Sequence, residues 1–99
     1  MFDGKRYVTN GVLTKIPNYL QNLLWYLVET MKVTEKDYLQ VFELQEEKES
    51  DQVKQKIIHR QEEPSYLLQH LVPVKEGVQE KVFIIDDGTH STMLLANEY

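Results

Sequence analysis

The chain has 99 residues, of which 41% are hydrophobic and 27% charged, enough for one domain built around a single core. Its net charge of −5, from 16 acidic and 11 basic residues, argues against nucleic acid, which needs a basic footprint to displace counterions, and against anionic membrane surfaces. With no cysteine, disulfides, thiolate catalysis and cysteine-based zinc sites are excluded.

Lys5 to Thr9 reads as a first strand, which Asn10-Gly11 is expected to turn. Met1 to Arg6 does not resemble a signal peptide, and no apolar run approaches the roughly 20 residues of a membrane span. A cytoplasmic protein is the expectation. Ile16-Pro17 then opens a helix, because proline suits a first turn, where its missing N–H costs nothing. Ile16, Leu20, Leu23, Leu24, Leu27 and Met31 recur at spacings of three and four and make one apolar stripe. Trp25 lies about 200° from Leu27 around the helix, well off that stripe. Tyr19, Trp25 and Tyr26 are therefore candidates for an interface, with a second copy of the chain as the favoured occupant over a foreign protein.

Tyr38 to Leu44 and Val53 to Glu62 read as paired strands, joined through a charged hairpin tip from Glu46 to Asp51. Placing Glu43 opposite Lys56 sets Val41 against Ile58 and Phe42 against Ile57. It also makes Lys54, Lys56 and Arg60 a cross-strand charge ladder, a reading preferred to an anion site. Between Pro64 and Pro73 periodicity does not separate helix from strand; the length and flanking prolines favour strand. Val82–Ile85 and Met93–Ala96 are continuous apolar runs around Asp86-Asp87-Gly88-Thr89-His90-Ser91, which predicts a hairpin of interior strands covered on both faces.

Arg6-Tyr7-Val8-Thr9, Ile16-Pro17, Leu24-Trp25, the run from Asp37 to Leu44, Lys56-Ile57-Ile58-His59 with Gln61-Glu62, and the closing run from Ile85 to Tyr99 resemble the family catalogued as domain of unknown function 960. The resemblance spans nearly the whole chain. It implies a stand-alone cytosolic domain of low-GC Gram-positive bacteria with no assigned activity, and it brings no catalytic residues with it.

His59, Asp86, Asp87 and His90 form the one set with metal-ligand or small-ligand chemistry, with Glu62, Glu63 and His70 as distant contributors. Against that stands a plainer reading: Asp-Asp-Gly-Thr-His is also how a turn is written when an aspartate accepts backbone hydrogen bonds and a glycine takes positive φ. Likewise, His59 beside Ile57 and Ile58 reads as a hydrogen-bonded structural histidine. Ser91 or Thr92 with a histidine could make a nucleophile pair, but no nucleophile elbow or phosphate loop accompanies them. Taken together, the residues predict an α+β domain, one long amphipathic helix packed on a mainly antiparallel sheet of about five strands. The expected function is a non-catalytic protein-interaction module without metal or cofactor. The alternative is a metal- or small-ligand-dependent enzyme using the Asp86–His90 turn and His59.

Overall fold

Thr9 decides where the first strand stops. Its hydroxyl accepts from the Val12 amide at 3.3 Å and donates to Glu98 Oε1 at 2.7 Å, so it caps a helix and Asn10-Gly11 does not turn the chain. In the computed structural model, which describes residues 1–99, β1 (Lys5–Val8) therefore leads into a short helix α1 (Asn10–Lys15) that the sequence reading did not foresee. Ile16 is extended, as a residue before proline must be, and Pro17 caps the main helix α2 (Asn18–Thr30) instead of lying within it.

Five further strands follow: β2 (Leu39–Glu49), β3 (Gln52–Gln61), β4 (Tyr66–Val74), β5 (Glu80–Asp86) and β6 (His90–Leu95). A single 3₁₀ turn, Ala96–Glu98, closes the chain. All six strands form one sheet in the order β1-β6-β5-β2-β3-β4, antiparallel except where β1 runs parallel to β6. The sheet thus has six strands against an expected five, and two helices against one. The Pro64–Pro73 stretch is a strand, as its length and flanking prolines favoured, and pairs with β3 from Gln61↔Tyr66 to Val53↔Val74. It lies at the sheet edge, where Pro73 can stand in a strand because its missing N–H can face solvent.

The β2–β3 hairpin is longer than expected. Strand pairing continues to Glu49↔Gln52, which leaves Ser50-Asp51 as the turn, with Ser50 at φ 56°. That short turn sets the register, pairing Glu43 with Ile58 and Val41 with Arg60, two residues away from the predicted alignment. An even slip keeps every side chain on its face. Hence the charge ladder persists, with Arg60 3.6 Å from Glu43 and Lys56 3.3 Å from Glu47.

Both helices lie on one face of the sheet. Val12, Ile16, Leu20, Leu24, Leu27 and Val28 meet Phe42, Leu44, Ile57, Val82, Ile84, Met93 and Leu95 in one buried cluster. Full burial of a Leu or Ile side chain stabilises by roughly 1.5–3 kcal/mol, so this cluster holds the domain together. Toward either end of β2 and β3, buried glutamines clamp irregular chain against the sheet. Gln55 Oε1 accepts from the Val78 amide at 2.6 Å, and its Nε2 donates back to the Val78 carbonyl at 3.0 Å. This pins the connection from β4 to β5. The opposite face carries no helix. There Phe83 and Ile85 are only partly covered, by strand neighbours and by the Tyr99 ring against Phe83, so the C-terminal hairpin is interior to the sheet without being layered on both sides.

Candidate functional site

The turn between β5 and β6 is built by one carboxylate. Asp87 Oδ1 accepts from the Thr89 amide at 3.0 Å, the His90 amide at 2.9 Å and the Thr89 hydroxyl at 2.9 Å. Asp87 Oδ2 lies 3.1 Å from His90 Nδ1. The backbone donors of His90 and Thr89 hold the Asp87 carboxyl below its usual range, because they bond the charged form. Gly88 takes φ 99°, a conformation that a side chain would strain. His90 also meets the Tyr7 ring edge-on, 5.2 Å between centroids. Asp86 takes no part in this knot: it pairs with Ser91, and its amide donates to the Tyr38 carbonyl.

His59 sits in a different neighbourhood, on β3 and fully buried on the helix-bearing face. Gln40 Nε2 donates to Gln61 Oε1 at 2.6 Å and to the Asp37 carbonyl at 2.9 Å, which leaves Gln40 Oε1 to accept from His59 Nε2 at 2.7 Å. Gln61 Nε2 donates on to the Glu35 and Pro64 carbonyls. The chain from His59 to Gln61 thus ties the loop entering β2 to the end of β3. The imidazole is stacked on Phe42 at 4.3 Å, and its Nδ1 has no partner. A second proton would be placed on that buried nitrogen, so burial, with His70 nearby, pushes the His59 pKa down to about 4. His59 is therefore not brought to the Asp86–His90 turn, and no three histidine, aspartate or glutamate side chains converge as metal ligands.

Of the three aromatic residues on α2, Tyr19 and Tyr26 are exposed, whereas Trp25 is 7% exposed. The chain's own N-terminal segment covers it: Phe2 joins the core cluster, and the Arg6 guanidinium lies 4.9 Å over the indole ring while paired with Glu29. Trp25 lies off the stripe as the helical periodicity requires, but a segment distant in sequence folds onto it.

What the sequence reading missed is the outer edge of β4. The two sheet edges differ sharply. β1 spans four residues and carries Lys5 and Arg6, which discourage strand addition. β4 spans nine, and from Pro64 to Val74 there is no Asp, Glu, Lys or Arg. Leu67 is 67% exposed, Leu68 47% and Leu71 46%. Pairing with β3 puts Leu67 beside Arg60 and Leu71 beside Lys56 on the helix-free face, while Tyr66, Leu68 and His70 share the face of His59 and Ile57. An uncharged run bounded by prolines in a chain so rich in charge was the available signal.

A comparison with curated proteins finds no match. Among solved structures, the chain is similar to the crystal structure of a protein of unknown function from Enterococcus faecalis. The two share 22% identity and a TM-score of 0.73, over 98% of this chain and 92% of that one, which establishes the mixed α+β fold. The sequence profile of the family described as "Staphylococcal protein of unknown function (DUF960)" matches residues 5–98, and with nearly the whole chain so matched, this protein belongs to that family.

Proposed function

We propose that this protein is a non-catalytic protein-interaction module of the cytoplasm that binds through the open edge of β4. The observation that carries the reading is that edge: nine residues long, uncharged and bearing three exposed leucines. An edge strand presents a row of unpaired N–H and C=O groups, and strand addition gives affinity through those groups and specificity through alternate side chains. Monomeric sheets blunt such edges with charge or proline; β1 carries charge, whereas β4 has only Pro73, near its end, so the open stretch from Tyr66 to Val72 supports a partner. The absence of cysteine suits a reducing compartment, and no helix is long and apolar enough to cross a membrane.

Leu71→Glu tests the reading. Leu71 is exposed and lies opposite Lys56, so a carboxylate there is tolerated within the chain yet opposes docking at the edge. Tagged wild-type and variant chains, cross-linked in host-cell lysate, are expected to differ in a specific adduct that the variant loses. Identical adducts from the two chains, or none from either, would refute binding through β4.

A further inference from the structure

Resting on the reading of β4 as a docking edge, we infer that its occupant is a second copy of this chain, paired antiparallel, β4 against β4, about a two-fold axis at Gln69. The argument is self-complementarity. In an antiparallel pair symmetric about Gln69, Leu67 of each copy stands opposite Leu71 of the other, so both exposed leucines of the helix-free face find an apolar partner. Tyr66 then meets Val72, and Leu68 meets His70. A slip of two residues in one direction leaves Leu67 opposite Gln69, and in the other opposite Pro73. A slip of one residue puts opposite faces together. This register alone pairs both Leu67 and Leu71 with leucine; the slip that sets Leu67 opposite Gln69 matches only Leu68 with Leu68, on the other face.

The residues flanking the strand supply one complementary pair. Glu62 and Glu63 precede β4, and Lys75 and Glu76 follow it; all four are exposed, and none of their side chains is in an ion pair within the chain. Antiparallel pairing sets Glu63 of each copy opposite Lys75 of the other, twice per dimer, with Glu62 and Glu76 one step further out. A parallel arrangement would set like ends together. Between these ends the strand has no formal charge, so two copies of a −5 chain can approach here without repulsion along the contact. The product is one continuous sheet through both copies, with the helices of each on the same face as its own core. The interface is isologous, as closed two-fold dimers require.

Three measurements test this. Sedimentation velocity of the wild type at about 100 μM is expected to show a dimer, and Leu71→Glu, folded by circular dichroism, is expected to weaken it about tenfold or more. Glu63→Lys and Lys75→Glu are each expected to weaken the dimer, and the double variant is expected to restore it, which a loss of folding would not mimic. Because the chain has no cysteine, Gln69→Cys introduces one thiol that meets its own copy at the axis; it is expected to form an interchain disulfide under mild oxidation that Asp51→Cys, at the far hairpin tip, does not form. A dimer that survives Leu71→Glu with no Gln69→Cys cross-link would overturn the β4 pairing. A monomeric wild type whose lysate adduct is lost in Leu71→Glu would overturn the second copy while leaving the edge a docking site for another protein. A monomer with no such adduct would overturn both.

Discussion

Replacing His59 with glutamine should change how stability depends on pH more than it changes stability itself. The new amide can still donate to Gln40 Oε1, but it cannot titrate. In the wild type the unfolded chain binds a proton at His59 near its ordinary 6.5, whereas burial holds the folded value at about 4. Above 6.5 both states are neutral at this residue and its contribution to stability is complete. As the pH falls from 6.5 toward 4, the unfolded chain takes a proton that the folded one refuses, and stability declines. The whole gap corresponds to about 3 kcal/mol, of which about 2 kcal/mol develops between pH 7 and pH 5. Against a total stability of roughly 5–15 kcal/mol for a small domain, that is readily measured. Urea unfolding followed by Trp25 fluorescence, at pH 7, 6 and 5, in wild type and His59→Gln, is the assay. The advantage of the wild type over the variant should shrink by about 2 kcal/mol across that range. Parallel curves for the two proteins would refute the assignment of a neutral, buried imidazole whose Nδ1 has no acceptor.

Gly88→Ala is expected to destabilise by about 1 kcal/mol or more, purely through its φ of 99°, since a Cβ there meets no neighbour; an unchanged denaturation midpoint would contradict this. Gln55→Ala removes both bonds to Val78 and should cost about 1–3 kcal/mol, with faster hydrogen exchange at the Val78 amide as the local readout. Leu24→Ala, at a fully buried contact between α2 and the sheet, should cost about 2–5 kcal/mol in chemical denaturation. Elemental analysis of purified protein is expected to find no stoichiometric transition metal; about one zinc or manganese per chain, lost in His90→Ala, would overturn the structural reading of the Asp87 turn.

Much that depends on near neighbours was legible in the chain alone, although the Thr9 cap that starts α1 was not. Apolar residues three and four apart made α2 a helix with its buried side toward Leu20 and Leu24. Asp87-Gly88 made a turn between apolar strands, because a short carboxylate can accept those local amides and glycine enters that φ freely. The alternation from Val53 to Glu62 gave each side chain its face, and a two-residue error in register did not disturb it. The sheet order was beyond such reasoning, for periodicity says that a strand exists but not which strand lies beside it. That is why the Pro64–Pro73 stretch could be read as extended without revealing that it ends the sheet. Trp25 could be placed off the apolar stripe, yet its cover, Phe2 and Arg6, comes from chain brought there by pairing β1 with β6. His59 and the Asp87 turn share the chemistry of ligands in sequence, but separate strands hold them apart, each with its own partners. Local physics chose the elements and their faces; the order of strands, a property of the whole sheet, decided which groups met and which edge was left open.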